Sequence, residues 1–185
     1  MPCWVKKIMG IGLSFGFVCA MTANGQTIEI SGSPFDTQGA PLPDYIHPLH
    51  EKVIIVDPAQ NVWAAYQPNG KMVRWGIATA GATRCQGKNT SCRTTVGAFR
   101  IYSLGNQYCM SRTYPSPGGG AAMPYCMYFN EGEALHGATN IQFSNISHGC
   151  VRIHIADAKW LRYQFVEKPQ ASNHFQGTKI IIKKY

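Results

Sequence analysis

Short apolar runs separated by turn sequences constrain the fold of this chain more than any other feature. The first three runs occupy residues 53–56, 62–66 and 72–80, lengths that are typical of strands. Asn69-Gly70 separates the second run from the third, and Asn-Gly between apolar runs is a strong hairpin signal. We therefore predict that this part of the chain forms a meander of three strands.

Four further apolar runs predict strands at residues 96–102, 125–130, 133–136 and 178–185. Residues 112–123 contain two prolines and three consecutive glycines, which predict a loop. Such a loop either covers an active site or only connects two strands.

One segment has a helical period. Ala158, Leu161 and Phe165 follow one another at helical spacing, with Asp157 near the predicted start and Pro169 beyond the end. Charged residues make up only 14% of the sequence, which also holds 19 glycines and 11 prolines. This composition favours a turn-rich β protein with one helix over a helical bundle.

The chain begins with a segment that is typical of a secretory leader. Lys6 and Lys7 precede an uncharged apolar segment at residues 8–20, which is too short to span a bilayer comfortably. Small residues predict cleavage before Gln26, although cleavage after Ala20 fits the same rule. An uncleaved leader that anchors the protein in a membrane is the alternative.

The sequence divides into three predicted regions. Residues 1–25 form the signal peptide, residues 26–51 form a linker rich in Gly, Pro and Ser, and residues 52–185 form one folded domain. A chain of 185 residues suffices for one well-buried domain and a leader, but not for two ordinary domains.

The mature chain is basic. The whole chain has a formal net charge of +8, and the leader holds two lysines and no acidic residue, which leaves +6. An anionic partner is expected, and for an exported protein a wall polymer or membrane surface fits better than nucleic acid, because the basic residues are dispersed. A solvated basic surface without such a partner explains the same charge.

Cysteine parity separates one thiol from the others. Of the seven cysteines, two lie in the leader, and the five that remain are Cys85, Cys92, Cys109, Cys126 and Cys150. In an oxidising compartment four would pair and one would stay free. The pairs closest in sequence are Cys85–Cys92 and Cys109–Cys126, although four cysteines allow three connectivities. That choice leaves Cys150 free.

Residues around Cys150 are the best candidates for chemistry. The strand-like segment that ends at His136-Gly137 is followed closely by Ser147-His148-Gly149-Cys150-Val151-Arg152. A free cysteine has a pKa of about 8.5, so a nucleophilic thiol is usually activated by a nearby imidazole or cation. His136 is the candidate base for this thiol.

The neighbours of Cys150 suit acyl transfer. The backbone amides of Gly149 and Cys150 are candidates to hold a developing oxyanion. Arg152 would lie on the same side of an extended segment as Cys150, where it would bind a substrate carboxylate or lower the pKa of the thiol.

Two other interpretations of these residues stay open. Cys150 would be an inert buried thiol, or the partner of Cys126, if its role were structural. Alternatively, His136, His148 and Cys150 would supply three ligands to a catalytic zinc ion with one open position. No other metal-binding motif supports zinc.

At this point the sequence resembles a known family, the L,D-transpeptidases of bacterial peptidoglycan with a YkuD-type catalytic domain. Residues 147–152 are similar to the family signature, and His136-Gly137 resembles its upstream half. Residues 53–71 resemble the opening strands and hairpin, and residues 123–125 resemble the segment that leads into the histidine.

The chain departs from the family pattern in places. Residues 95–99 read Thr-Val-Gly-Ala-Phe where the family commonly has Thr-Pro-x-Gly-x-Phe, and the link from His136 to Ser147 is short. The four cysteines before Cys150 are not part of the family pattern, so their pairing rests on parity.

The resemblance implies a fold and a reaction. The fold is mainly β, with mixed β-sheets packed as a sandwich and one helix after the active-site motif, and residues 52–185 become the catalytic domain. Cys150 would attack the carbonyl after the third residue of a tetrapeptide stem and expel terminal D-alanine, with His136 as proton acceptor and donor. The acyl group would then pass to an amine of a second stem, to a lysine of an envelope protein, or to water.

The resemblance also assigns the remaining site residues. His148 and the backbone of Gly149 and Cys150 would position the thiol and hold the oxyanion, and Arg152 would receive a stem carboxylate. Three further residues would complete the substrate site, namely Ser147, Gly137 and Tyr125. No metal or cofactor is implied, and no nucleic acid is expected as a partner. We expect a monomer in the periplasm or cell envelope, with membrane contact only through an uncleaved leader; a wall-binding module without turnover and a zinc hydrolase are the alternatives.

Overall fold

This computed structural model of the protein describes residues 39–87, 89–115 and 117–185. The predicted signal peptide at residues 1–25 and the first part of the predicted linker, residues 26–38, lie outside the described residues. None of the helices within the described residues is long and apolar enough to span a membrane.

The described residues form nine strands in two sheets and one short α-helix. The elements are β1 (Val53–Asp57), β2 (Val62–Tyr66), β3 (Met72–Ile77), β4 (Gly97–Arg100), β5 (Ser103–Leu104), β6 (Met127–Asn130), β7 (Glu133–Ala138), β8 (Val151–His154), α1 (Ile155–Trp160) and β9 (Lys179–Ile182). A π-helical turn at Leu161–Phe165 continues α1, and a 3-10 turn lies at Ala171–Asn173. The predicted fold class, mainly β with mixed sheets and one helix after the motif, is confirmed.

The larger sheet has the strand order β3-β2-β1-β9-β4. The predicted meander forms its antiparallel part, and β9 pairs parallel with β1 and antiparallel with β4. Strands β1 and β2 are buried along almost their whole length because both faces of the sheet are covered. This burial explains why their sequences are continuous apolar runs rather than alternating ones.

The smaller sheet has the order β5-β6-β7-β8 and faces the larger one. Side chains from both sheets share one core, including Ile54, Trp63 and Ile180 from the larger sheet and Leu135 and Ile153 from the smaller one. A fully buried side chain of this kind stabilises the fold by about 1.5–3 kcal/mol relative to an exposed one. The shared core therefore holds the two sheets together as a sandwich.

The structure refines several predicted strands. The strand predicted at residues 96–102 ends at Arg100, and the chain then passes to the other sheet as β5. The strand predicted at residues 72–80 ends at Ile77. No strand is predicted at β8, because four residues that alternate between buried and exposed positions are too short a pattern to distinguish from a loop.

The predicted helix is present at the expected place. Ala158, Leu161 and Phe165 are all buried, as their helical spacing requires. Asp157 in the first turn forms a buried ion pair with Arg74 of β3, at an N···O distance of 2.6 Å. The helix directly after β8 is thus fixed to the larger sheet, which leaves the preceding motif at the junction of the two sheets.

Candidate active site

The ends of β7 and β8 and the segment after β3 meet at one place. β7 and β8 run parallel, with His136 opposite Arg152. On its other side, β8 pairs with the segment after β3, where Thr79 and Arg152 exchange two backbone hydrogen bonds of 2.9 Å. Farther along, Gly81 forms a parallel bridge with Ser147. The predicted motif is therefore anchored to both sheets.

A cavity of about 240 Å³ opens at this junction, and five of the predicted site residues line it: His136, Ser147, His148, Cys150 and Arg152. The rest of the lining comes from two stretches and a helix residue, namely Ser111, Tyr114 and residues 121–124, then residues 138–140, and Ile155 of α1. The structure thus brings the predicted thiol, imidazole and guanidinium to one cavity.

Cys150 is the free cysteine of the described residues and is partly buried. Its Sγ lies 3.9 Å from the carbonyl oxygen of Gly132, in the turn between β6 and β7. Burial raises the pKa of the Cys150 thiol, and the carboxylate of Glu133 acts in the same direction. A hydrogen bond from the backbone of Ala134 and the charge of Arg152 lower this pKa, but burial outweighs them.

His136 is buried and has a defined tautomer. Its Nδ1 lies 2.9 Å from the carbonyl oxygen of Gly137, which can only accept a hydrogen bond, so Nδ1 carries the proton and Nε2 is left as an acceptor. Burial lowers the pKa of His136 to about 4, and the nearby charge of Arg152 contributes to this shift.

Both reacting groups are therefore neutral at neutral pH. This state differs from the sequence expectation of a thiol whose pKa is lowered by a cationic neighbour, because burial affects Cys150 more strongly than Arg152 does. A neutral thiol and a neutral imidazole that line one cavity suit general base catalysis, in which the proton moves as the sulfur attacks.

Ser147 organises the turn before the thiol. Its Oγ accepts a hydrogen bond of 3.2 Å from the Gly149 amide and donates one to the carbonyl oxygen of Cys150. Gly149 has φ +118°, a conformation that side-chain-bearing residues rarely adopt. The Ser147 hydroxyl thus binds the Gly149 N–H in a local turn, while the oxyanion role expected for the two amides stays a prediction. The Cys150 amide is the one left for that role.

His148 faces away from the buried part of the site. Its side chain is exposed and stacks on the ring of Tyr114, with ring centroids 4.6 Å apart. Within the described part of the chain, no three His, Cys, Asp or Glu side chains are close enough to hold a metal ion. His136, His148 and Cys150 thus do not form the three-ligand site that the sequence left open.

Gly137 and Tyr125 have packing positions beside the site. The Gly137 amide donates a 2.8 Å hydrogen bond to Pro124, and an added Cβ at position 137 would lie 2.9 Å from Cα of Ile155. Tyr125 packs edge-on against Tyr163. The described cavity lining includes neither residue, so their substrate contacts stay predictions.

Both disulfides join the cysteines that are closest in sequence, Cys85–Cys92 and Cys109–Cys126. The second closes a hairpin at residues 109–126, in which the Ser111 amide donates to Ala121 and the Met123 amide donates to Cys109, both at 2.8 Å. The loop predicted at residues 112–123 is thus the tip of a hairpin that the Cys109–Cys126 disulfide closes, and part of this loop lines the cavity.

Sequence reasoning missed three residues next to the site. Tyr114 lines the cavity, Glu133 raises the pKa of Cys150, and the Thr94 hydroxyl donates a 2.7 Å hydrogen bond to the carbonyl oxygen of Gly149. An aromatic residue within a Gly- and Pro-rich loop was a signal for Tyr114. The other two carry no local signal, because their contacts depend on how distant segments pack.

A family model of the L,D-transpeptidase catalytic domain matches residues 51–182. Among solved structures, an L,D-transpeptidase from Xylanimonas cellulosilytica is 27% identical with a TM-score of 0.56, over 71% of this chain and 60% of that chain. An L,D-transpeptidase from Mycobacterium smegmatis is 19% identical with a TM-score of 0.55, over 72% and 59%. L,D-transpeptidase 3 from Mycobacterium tuberculosis, in complex with a faropenem-derived adduct, is 17% identical with a TM-score of 0.53, over 72% and 60%.

The chain therefore spans about three fifths of the length of these solved structures. The two likenesses below 25% identity bear on the fold alone. No curated protein matches the chain.

Proposed function

The chain belongs to the L,D-transpeptidase catalytic domain family, and from that premise we propose that it is a peptidoglycan L,D-transpeptidase with a cysteine acyl-enzyme mechanism. One observation carries this proposal. The cavity holds the free thiol of Cys150, the neutral ring of His136 and the guanidinium of Arg152 together.

In the proposed acylation step, Cys150 attacks the carbonyl carbon after the third residue of a tetrapeptide stem. The S–H proton passes to Nε2 of His136 as the S–C bond forms. The peptide C–N bond then breaks, and the leaving D-alanine takes the proton from His136 as its amine departs. The product is a thioester between Cys150 and the shortened stem.

Two groups assist this step in the proposal. The Cys150 amide donates to the oxyanion, where one aligned donor is worth about 10²–10³ in rate. Arg152 binds a carboxylate of the stem, for which the planar guanidinium provides a bidentate match. His148 and Ser147 contribute at the cavity surface and in the turn, respectively.

In the second step, a nucleophile attacks the thioester carbonyl and gives its proton to His136. The C–S bond then breaks, and the Cys150 sulfur takes that proton, which restores the thiol and the neutral imidazole. An amine of a second stem gives a cross-link, a lysine of an envelope protein gives a tethered protein, and water gives a trimmed stem. The proposed partners are therefore the stem peptides and, as acyl acceptors, lysine-bearing proteins of the envelope.

Export to the periplasm or cell envelope is part of the same proposal. Two disulfides beside one free thiol suit an oxidising compartment, and the N-terminal sequence is typical of a secretory leader. We propose that the mature protein acts there as a monomer.

The test uses intact-mass spectrometry of the purified mature protein after incubation with a carbapenem. We expect one covalent adduct on the wild type and none on the Cys150→Ala variant, since the β-lactam carbonyl replaces the stem carbonyl. Release of D-alanine from tetrapeptide stems should depend on Cys150 in the same way. Folded wild type that forms no adduct and releases no D-alanine, yet sediments with sacculi as Cys150→Ala does, would establish a wall-binding module instead.

A further inference from the structure

Thr94 makes a buried contact with the backbone of the motif. Its side chain is 1% exposed, and its Oγ1 accepts a 3.0 Å hydrogen bond from the Gly81 amide. The same oxygen donates a 2.7 Å hydrogen bond to the carbonyl oxygen of Gly149. These roles are fixed, because an amide can only donate and a carbonyl can only accept. The single hydroxyl proton of Thr94 is therefore directed at Gly149.

This contact determines where the Cys150 amide points. The peptide between Gly149 and Cys150 is planar, so its N–H is directed opposite to its C=O. Ser147 binds the Gly149 amide and the Cys150 carbonyl on either side of this peptide. Within the described residues, no hydrogen bond uses the Cys150 amide. Thr94 thus binds the carbonyl group of this peptide, and the Cys150 N–H of the same peptide stays available as a hydrogen-bond donor.

A second hydroxyl keeps Thr94 in place. The Tyr185 hydroxyl accepts a 2.8 Å hydrogen bond from the Thr94 amide and donates a 2.9 Å bond to the Gly81 carbonyl. Gly81 lies so close to this segment that an added Cβ would overlap the carbonyl oxygen of Cys92. The Thr94 side chain therefore has little freedom to turn away from Gly149.

We propose that Thr94 is a positioning residue, which fixes the Gly149–Cys150 peptide so that the Cys150 N–H is directed at the oxyanion formed during acyl transfer. This inference rests on the proposed function and extends it to a residue that does not touch the substrate. A preorganised donor is effective because it needs no reorientation when charge develops. Loss of the Thr94 hydroxyl would let the peptide rotate.

Two reactions of the same thiol separate this role from general support of the fold. Acylation by a carbapenem passes through an oxyanion and needs the Cys150 amide. Alkylation by iodoacetamide displaces iodide at a saturated carbon and forms no oxyanion. A positioning defect therefore slows acylation and leaves alkylation unchanged, whereas a disordered site alters both.

The experiment compares both rates in wild type and in the Thr94→Val and Thr94→Ser variants, by intact-mass spectrometry. We expect Thr94→Val to acylate about 10-fold to 100-fold more slowly. Its alkylation should stay within about twofold of wild type, and Thr94→Ser should restore acylation to within about threefold, because serine keeps the donor. Thr178→Val is the matched control, since Thr178 is also 1% exposed and its Oγ1 accepts a 2.8 Å hydrogen bond from the Glu167 amide. It should leave both rates unchanged.

Tyr185→Phe provides a second variant if Thr94→Val does not fold. It keeps the Thr94 hydroxyl but removes the hydrogen bonds that Tyr185 makes with the Thr94 amide and the Gly81 carbonyl, so acylation should fall by about threefold to tenfold with unchanged alkylation. The inference is overturned if the variants that fold acylate like wild type, or if the two rates fall together. A wild type that alkylates but is not acylated would instead refute the proposed function itself.

Discussion

The candidate site has two unlike sides. The buried side fixes the backbone before the thiol and holds the base, and consists of Gly81, Thr94, His136, Ser147 and Gly149. The open side consists of the hairpin at residues 109–126 and the exposed His148. Each side adjoins a short segment that is closed by a disulfide. One disulfide therefore supports the residues that position the motif backbone, and the other supports the hairpin that lines the cavity.

On the buried side, the disulfide Cys85–Cys92 supports a segment whose contacts are directional hydrogen bonds. The Cys92 amide donates a 3.2 Å hydrogen bond to Ala82, and the chain then leads directly to Thr94. On the open side, the disulfide Cys109–Cys126 closes a hairpin whose contacts with the motif are packing contacts: Tyr114 stacks on His148, and Met123 and Cys126 belong to the buried cluster against which Cys150 packs.

This difference separates two kinds of effect. Hydrogen bonds to the backbone of the motif set the direction of the groups that react, so changes on the buried side should lower kcat. The hairpin on the open side would stabilise the bound substrate and the transition state by the same amount. Changes on the open side should therefore raise KM and leave kcat unchanged.

The largest effect is expected from Gly149→Ala. Alanine is strained at φ +118°, so the turn before the thiol must change even though the nearest atom to its Cβ, Oε1 of Glu133, would lie at a contact distance of 3.4 Å. We expect carbapenem acylation to fall by about 100-fold or more. Gly118→Ala is the control, because Gly118 has φ +104° but open space around it. Equal rates for the two variants would show that the buried side has no special role.

Acid should lower the free energy of unfolding through protonation of His136 on the buried side. Its folded-state pKa of about 4 lies below the value of about 6.5 in the unfolded chain, so the unfolded chain binds the proton more readily. The stability due to the neutral ring is therefore complete above pH 6.5 and is lost as the pH falls through 4. This loss is about 3 kcal/mol. Urea unfolding between pH 7 and pH 4 measures it.

His136→Asn is the companion variant for this titration, because asparagine has no proton to gain in this range. We expect the part of the acid sensitivity between pH 6.5 and pH 4 to be smaller in this variant. An unfolding free energy that falls equally in both proteins would mean that other groups cause the loss.

Removing each disulfide in turn should distinguish the kinetic roles of the two sides. The double variants Cys85→Ser/Cys92→Ser and Cys109→Ser/Cys126→Ser should each lower the free energy of unfolding by about 2–3 kcal/mol. In D-alanine release, the first should lower kcat by about tenfold and the second should raise KM by about tenfold. The same kinetic change in both variants would contradict the division into two sides.

The sequence predicted the strands and the helix because their apolar patterns reflect burial in single segments. It also predicted that His136, Cys150 and Arg152 act together, and the parallel pairing of β7 and β8 brings them to one cavity. Strand β8 was not predicted, because an alternating pattern of four residues is too short to distinguish a strand from a loop.

The backbone conformation of the motif and its hydrogen-bond partners could not be predicted from sequence patterns. The direction of the Gly149 amide depends on φ +118° and on the Ser147 hydroxyl, which no periodicity encodes. The partner of the Gly149 carbonyl, Thr94, lies 55 residues away and contacts it through one hydroxyl. Such contacts follow from tertiary packing rather than from local sequence.

The smallest effect is expected from Tyr114 on the open side. Tyr114→Ala removes the ring that stacks on His148 and lines the cavity, and a stacked aromatic pair is worth about 0.5–1.5 kcal/mol. KM for D-alanine release should therefore rise by about threefold to tenfold. Since the hydrogen bonds to the motif are untouched, kcat should stay within about twofold. Tyr114→Phe keeps the ring and should behave like wild type, whereas a large fall in kcat for Tyr114→Ala would mean that the hairpin positions the thiol as well as the substrate.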